Sequence, residues 1–184
     1  LPSLLQSERK LSTIMKLQFQ KDAIVNGINI VMKAVPSKTT MSILECILID
    51  ASSNEIRLTG NDMELGIETK VEGQILEHGK IALDAKLFSE ITRRVSSQNS
   101  TVTIESDEKL NTTIRCENSV FNIQGRDGEE FTYIPYIERD KYITLSQFTL
   151  KEVIQQTIFS ISPNDSNKMM AGELFEVNEN QLKV

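Results

Sequence analysis

The chain has 184 residues, 39% of them apolar and 25% charged, and a formal net charge of −6. This is the composition of an ordinary soluble globular protein, and the length allows one domain, or one domain and part of another. The negative charge argues against a nucleic-acid binder with a uniformly basic surface, although a few cations can still share one face. No apolar run approaches the about 18 residues of a membrane span, so no membrane is expected among the partners.

The patterned part of the sequence starts near Met15, which looks like a natural first residue. Residues 1–14 are therefore expected to be an extension outside the fold. Alternation in Lys16–Gln20 predicts a strand. Apolar residues at helical spacing then predict a helix, at Ile24, Ile28, Val31, Met32 and Val35. Pro36 and the polar residues up to Thr40 end this helix and form a loop.

Alternating segments separated by turn residues predict four further strands, at Ser42–Asp50, Glu55–Thr59, Met63–Gly73 and Lys80–Leu83. Asp84 is a suitable N-cap for a second helix, whose apolar positions are Leu87, Phe88, Ile91 and Val95. Three more strands are predicted before a linker near Glu138–Asp140, at Thr101–Glu105, Asn111–Arg115 and Val120–Gln124. Short turns between strands favour antiparallel pairing, and the helices are far apart in sequence, so the fold class is α+β.

The apolar pattern of residues 17–58 returns later in the chain. Shifted by 126 positions without a gap, Ile28 falls on Ile154. Other matches pair Leu17 with Ile143, Ile24 with Leu150 and Leu48 with Leu174. The pattern predicts a second copy of the same domain, of which this chain holds the first strand, the first helix and the next strand pair. A chance likeness between two strand–helix–strand units is the alternative.

Four short segments stand out by their residue types, Ile43–Ile49, Leu58–Glu64, Leu87–Arg94 and Gly172–Glu176. The second is similar to a Leu-Thr-Gly-x-Asp-x-Glu strand–turn–strand, and the fourth to a Gly-x-Leu-Phe-Glu segment. In order and spacing the four resemble the bacterial DNA polymerase III beta subunit family, the sliding clamps, over residues 15–184. One departure is Val95-Ser96, where the second helix of the family often ends Arg-Lys-Leu-Pro.

The resemblance implies a ring. Subunits of the family have three such domains, two subunits close head to tail, helices line the hole, and antiparallel sheets form the outside. Residues 15–138 would then be clamp domain 1, with two helices on one face of its sheets, and residues 139–184 the incomplete start of clamp domain 2. The implied function is that of a processivity factor of the replicative polymerase in the cytoplasm, without catalysis or cofactor. Implied partners are double-stranded DNA, a second clamp subunit, the polymerase and the clamp loader.

A sliding ring needs weak phosphate attraction that does not depend on base sequence, and Lys or Arg on the lining helices would supply it. The residues placed there are Lys33, Lys86, Arg93 and Arg94. An ordinary solvated helix surface is the alternative explanation for these charges. The resemblance adds loop residues that face DNA, Lys38 in the first repeat and Asn164 and Lys168 in the second. Asn167 and Met169 depart from the basic and aromatic residues that some members of the family carry there.

The resemblance also implies two protein contacts. Ser119–Ile123 resembles the edge strand that pairs with domain three of the neighbouring subunit, so Phe121 and Ile123 are candidate interface residues. A place in the core is the alternative for Phe121. Met170 occupies a position that helps to form the pocket for polymerase and loader peptides. A binding module without catalysis that reuses the clamp fold remains the alternative function.

An enzyme is not expected, because no catalytic set, phosphate-cradling loop or metal cluster is visible in the sequence. The single histidine, His78, lies in a predicted turn and is expected at the surface. Asp62 and Glu64 could form a carboxylate pair, but two residues apart at a bend they are expected to serve the turn. Cys46 and Cys116 lack metal-site spacing and are expected to be free thiols in a reducing cytoplasm.

Overall fold

The computed structural model describes residues 13–94, 100–132, 134, 142–162, 171–178 and 181–184. The chain divides into two compact units, Leu1–Pro135 and Tyr136–Val184, and each is described by itself. Within the described residues, no helix is long and apolar enough to cross a membrane.

The first unit contains ten strands and two α-helices in its described part. In chain order they are β1 Thr13–Gln20, α1 Lys21–Val31, β2 Cys46–Asp50, β3 Ile56–Asn61, β4 Gly66–Val71, β5 Gln74–Glu77, β6 Lys80–Asp84, α2 Ala85–Arg94, β7 Thr101–Asp107, β8 Asn111–Cys116, β9 Ser119–Gln124 and β10 Arg126–Asp127. Short 3-10 helices occupy Met32–Ala34, Ser42–Glu45 and Gly128–Glu130. The predicted α+β class is confirmed.

The strands form two antiparallel sheets, and each sheet combines strands from both halves of the unit. Sheet A has the order β5-β1-β7-β8-β9, and sheet B has the order β10-β6-β2-β3-β4. The strand before α1, β1, therefore pairs with β7, the first strand after α2, while the strand before α2, β6, pairs with β2, the first strand after α1. This exchange ties the two halves of the unit together, since neither sheet can form from one half alone. It leaves β9 at one edge of sheet A and β4 at one edge of sheet B.

One apolar core joins both sheets and both helices. Alternate residues of the strands point into it, for example Leu17 and Ile104 from sheet A and Ile49 and Leu58 from sheet B. Ile24, Ile28 and Val31 enter it from α1, and Phe88 and Ile91 from α2. A smaller cluster on the other side of sheet B holds Cys46, Leu48, Ala82 and Phe131.

Helix α2 begins where the sequence predicts. Asp84 Oδ1 accepts a hydrogen bond from the Leu87 backbone N–H at 2.8 Å, which satisfies one of the donors left open in the first turn. Helix α1 buries the predicted apolar positions Ile24, Ile28 and Val31, while Met32 and Val35 are only partly buried against the same core. The two helices contact one another, and α1 also lies against β3 and β4.

Several strand boundaries differ from the predictions. Strand β1 begins at Thr13, so Thr13 and Ile14 of the segment predicted as an extension belong to the fold. The segment predicted as a strand from Ser42 opens with a 3-10 turn, and β2 starts only at Cys46. Strand β4 starts at Gly66 because Asp62 holds the preceding turn, its Oδ1 accepting from the N–H groups of Glu64 (2.9 Å) and Leu65 (2.6 Å). Strand β5 was not predicted, because Gln74–Glu77 is short and mostly exposed and so shows little alternation.

The second unit repeats local features of the first. Helix α3 spans Gln147–Thr157, and both of its ends lie 126 residues after those of α1. Strands β11 Glu176–Asn178 and β12 Gln181–Lys183 form a hairpin in which Glu176 faces Lys183, as Asp50 faces Arg57 in the first unit. Residues 142–146 are not assigned to a strand. Strand β1, their counterpart at this offset, pairs with β5 and β7, whose own counterparts would lie beyond residue 184.

Candidate nucleic-acid interface

The outward side of α1 and α2, here called the helix face, carries more positive than negative charge. It is formed by the exposed residues of the two helices and of the 3-10 turn that continues α1. Its charged members are Lys33, Lys86, Arg93 and Arg94 against Asp22 and Glu90. All four predicted cations of the helices are thus on the side opposite the buried faces, where they are accessible to solvent and to a polyanion.

Three of the predicted cations stand without a carboxylate. In the described part of the chain, no carboxylate oxygen lies within 4.0 Å of Lys33, Lys38 or Lys86. Lys38 is exposed in the loop after α1, as the resemblance implies for a loop that faces DNA. Uncompensated ammonium groups at these places keep their full charge for an anionic partner.

Arg93 is held by a neutral group. Its Nη2 donates a hydrogen bond to Asn29 Oδ1 across the helix pair, at 2.5 Å. The amide satisfies one donor of the guanidinium without cancelling its charge, and the side chain remains exposed. Arg94 differs, because its Nη2 lies 3.5 Å from Glu90 Oε2 on the same helix.

Four of the six cations in the strands of the first unit are matched by carboxylates, whereas Arg115 of β8 and Arg126 of β10 have no ion pair among the described residues. Lys16 pairs with Glu105 at 3.2 Å, and Lys80 with Glu129 at 3.1 Å. The largest group joins β3 and β4, where Glu55 accepts from both Lys70 Nζ (2.6 Å) and Arg57 Nη2 (2.9 Å), and Arg57 also pairs with Glu68 (3.0 Å). A neighbouring carboxylate therefore offsets most of the positive charge on the sheets, but only Arg94 among the four cations of the helix face.

The ion pairs among Glu55, Arg57, Glu68 and Lys70 also shift pKa values. Hydrogen bonds from Lys70 and then Arg57 lower the pKa of Glu55, and the bond to Glu55 raises the pKa of Arg57. Both groups are exposed, so each pair contributes modestly to folding stability.

A groove of about 350 Å³ runs between α2 and the edge strand β9. Its lining comprises Leu87, Glu90, Ile91, Arg94, Val120, Phe121, Asn122 and Ile123. Strand β9 is paired on one side by β8, and no described strand pairs with its other side. An open strand edge beside an apolar groove is a surface on which another chain can add a strand. Arg94 is one of the residues that line this groove.

The two predicted interface residues differ in exposure. Phe121 is partly buried and packs against the core, so part of its side chain has the core position that was the alternative to an interface role. Ile123 is 8% exposed and belongs to the core, so its side chain is largely inaccessible to a partner. At this position of the edge strand, mainly the backbone can contact another chain. Val120, which the sequence reasoning did not select, is 50% exposed and lines the groove. Its position directly before Phe121 on an edge strand was the available signal.

The family profile described as DNA polymerase III beta subunit, N-terminal domain, matches residues 15–135. The chain belongs to the DNA polymerase III beta subunit family. The beta sliding clamp of Halalkalibacterium halodurans is 35% identical over 176 residues, which cover 91% of this chain and 46% of that protein.

Solved structures of beta subunits agree with this assignment. A putative DNA polymerase III beta subunit from Eubacterium rectale has a TM-score of 0.83 and 62% identity, over 91% of this chain and 46% of that one. The DNA polymerase sliding clamp of Bacillus subtilis has a TM-score of 0.82 and 34% identity, with the same coverage. The chain thus spans about half the length of the beta subunits that it matches.

The segment that resembles the Leu-Thr-Gly-x-Asp-x-Glu of beta subunits is structural in this chain. Gly60 brings β3 against the Val31 carbonyl at the end of α1, leaving no room for a Cβ. Asn61 is buried, and its Nδ2 donates to the Thr132 carbonyl at 3.0 Å while Oδ1 accepts from the Met63 N–H at 2.8 Å. Asp62 accepts the hydrogen bonds that hold the turn, so its predicted role in the turn is confirmed.

Other sequence predictions have mixed outcomes. His78 is exposed, as predicted, and its Nδ1 lies 2.8 Å from the Ala51 carbonyl oxygen. Cys46 and Cys116 are free and buried, and burial raises the pKa of the Cys46 thiol. Within the described ranges, no group of three His, Cys, Asp or Glu side chains is placed to hold a metal. Asn164, Lys168 and Met170 lie outside the described residues, as do the predicted linker and residues 1–12.

Proposed function

We propose that this chain is part of a sliding clamp, a ring that encircles duplex DNA and tethers the replicative polymerase without catalysing a reaction. Family membership gives the architecture, and one observation in this chain carries the function. Three of the four cations of the helix face lack a carboxylate partner among the described residues, whereas four of the six cations in the strands of the first unit have one. A ring built with the helices inward would attract phosphates in its hole and repel them outside.

The domain organisation of the proposal follows the two units. Residues 15–138 would form clamp domain 1, and residues 139–184 the start of clamp domain 2. The matching ends of α1 and α3 and the shared hairpin register support a second copy of the domain. Its counterparts of β5 to β9 would complete the sheets. They would also cover apolar side chains that are open here, such as Phe148 and Leu174.

Contacts with DNA are proposed for Lys33, Lys38, Lys86 and Arg93, together with Asn164 and Lys168 of the second unit. All of these would act on phosphates, because a sliding ring has no use for base readout. Arg94 is a weaker candidate than Arg93, since Glu90 offsets its charge and it borders the groove. The net charge of −6 is compatible with this role because the helix face itself has four cations against two carboxylates.

Ring closure is proposed at the edge strand β9, where a strand of a second subunit would add to sheet A. Leu87, Val120 and Phe121 would supply the apolar contact beside the added strand. The replicative polymerase and the clamp loader are proposed partners, with Met170 as part of their peptide pocket. Action on the bacterial chromosome would place the protein in the cytoplasm.

A topological experiment tests the proposal. Full-length protein is loaded by its clamp loader onto a nicked circular duplex, and the complex is isolated by gel filtration. Cutting the circle with a restriction enzyme should release the protein, because a ring slides off free ends. The control is the same cut on DNA whose ends are blocked by bound protein, where the ring should stay. Retention on open linear DNA would reject the clamp and favour an ordinary binding module.

A further inference from the structure

The hydrogen bond between Arg93 and Asn29 joins two helices that are far apart in sequence. Arg93 is in the last turn of α2, and Asn29 is in the last turn of α1. The bond from Arg93 Nη2 to Asn29 Oδ1 is charge-assisted, because its donor is a guanidinium. Lys33 lies about one helical turn beyond Asn29, in the 3-10 turn that continues α1. The guanidinium of Arg93 is thus placed where the ends of the two helices meet.

The identity of the partner matters because a carboxylate was available. Glu90 lies three residues before Arg93, a spacing at which side chains on one helix meet. Its carboxylate is instead 3.5 Å from Arg94. Asn29 therefore binds Arg93 with a group that has no charge, and the full positive charge of Arg93 remains available. An arginine held in place loses less side-chain freedom when it binds a phosphate than one that extends into solvent.

We propose that Asn29 is a positioning residue for DNA, acting through Arg93. It holds the guanidinium at the α1–α2 junction, and it does so without neutralising the charge that attracts a phosphate. This inference rests on the proposed clamp function, since it assumes that the helix face meets DNA. It predicts that an amide at position 29 contributes to DNA affinity only when Arg93 is present.

The experiment is a double-mutant cycle on DNA affinity in the full-length protein. The variants are Asn29→Ala, Arg93→Ala and the combination, and binding to a fluorescent 30-base-pair duplex is followed by anisotropy at several salt concentrations. Arg93→Ala should reduce the slope of log K against log salt by about 0.9, the loss of one phosphate contact. Asn29→Ala should weaken binding by about threefold with the slope unchanged, because the charge remains. In the Arg93→Ala background, Asn29→Ala should have no effect.

Two further variants sharpen the test. Asn29→Asp puts a carboxylate on Arg93 and should lower the salt slope nearly as much as Arg93→Ala. Asn118→Ala removes an exposed amide from the turn between β8 and β9, outside the helix face, and should leave binding unchanged. Unfolding midpoints should be similar for all variants, since neither side chain of the pair lies in the core. A structural role for Asn29 would shift stability and would affect binding equally in both Arg93 backgrounds.

The outcomes separate two failures. If Arg93→Ala weakens binding but Asn29→Ala does not, or if the effect of Asn29→Ala is independent of Arg93, the positioning role is overturned and the clamp function stands. If Arg93→Ala leaves both affinity and salt slope unchanged while the protein still binds the duplex, DNA does not meet this part of the helix face. In that case the proposed contact between the helix face and DNA fails, and the positioning role of Asn29 fails with it.

Discussion

Gly27 of α1 lies so close to Val71 of β4 that a Cβ on the glycine would stand 2.5 Å from a γ-carbon of the valine. The Cδ1 of Leu58 on β3 would be 3.1 Å from the same Cβ. A glycine in a helix costs about 1 kcal/mol relative to alanine, so its presence here needs a reason. The reason is the close approach of α1 to sheet B, which sets how far the helix face stands from the sheets.

Replacing Gly27 with alanine should destabilise the protein by about 1–2 kcal/mol. The gain in helix propensity is smaller than the cost of moving the stiff, β-branched Val71. Unfolding in urea measures the change, and Asn26→Ala on the exposed side of α1 is the matched control, expected to be within about 0.5 kcal/mol of wild type. The double variant with Val71→Ala should cost less than the two single changes together. A full additive cost would show that the valine is not the obstacle.

Lys33→Gln should weaken binding of the full-length protein to duplex DNA and reduce the salt slope by about 0.9, for every DNA sequence tested. Lys33 has no carboxylate partner among the described residues, so the substitution removes one full positive charge from the interaction with DNA. Lys70→Gln removes an exposed lysine of β4 that pairs with Glu55, and it should leave the slope unchanged. Equal effects of the two changes would mean that net charge, and not the helix face, governs DNA affinity.

Val120→Asp should weaken self-association of the full-length protein at least about tenfold, which corresponds to about 1.4 kcal/mol. The side chain is half exposed in the free chain, so folding tolerates the change, but a carboxylate buried without a partner at an interface is costly. Sedimentation velocity over a concentration series measures the dimer constant. Leu76→Asp is the matched control, because Leu76 is 47% exposed on β5, the opposite edge of the same sheet. If Leu76→Asp disrupts association and Val120→Asp does not, the interface lies at the other edge.

Glu55→Gln should make the free energy of unfolding less dependent on pH in the acid range, as the pH falls through and below the ordinary glutamate pKa of 4.5. The folded protein lowers the pKa of Glu55 below its ordinary value of 4.5, chiefly through Lys70 and then Arg57. The ionised carboxylate therefore stabilises the fold above that pH, and its contribution is lost as the pH falls through the lowered pKa. Unfolding in urea at each pH compares the variant with wild type, and the two should converge in acid. Glu117→Gln, which changes an exposed carboxylate without an ion pair in the described residues, should leave the profile unaltered.

Local rules succeeded where a segment is bounded by its own chemistry. The apolar spacing around Ile24 and Ile28 located α1, and the carboxylate of Asp84 located the start of α2, because these signals act within one or two turns. The same rules missed β5 and began β4 too early. Residues there are exposed on most sides, so the period of two that marks a strand is weak, and a turn made by Asp62 decided the boundary.

The candidate site divides in the same way. The four cations of the helix face could be named from their spacing against the apolar positions. Their partners could not, because the amide of Asn29 reaches Arg93 only after α1 and α2 have packed together. The exposure of Val120 and the burial of Ile123 likewise depend on which strand lies at the edge of sheet A.

The sequence by itself determined the fold class, the positions of the helices and which side of each faces the core, since these follow from periods of two and 3.6 residues. Its motif order also indicated the family. Only the tertiary structure decided that β1 joins β7 and β6 joins β2, and which charges are compensated. The physical reason is range. Periodicity is set by neighbours along the chain, whereas strand exchange and ion pairing are set by groups that meet only when both halves of the domain bury one common core.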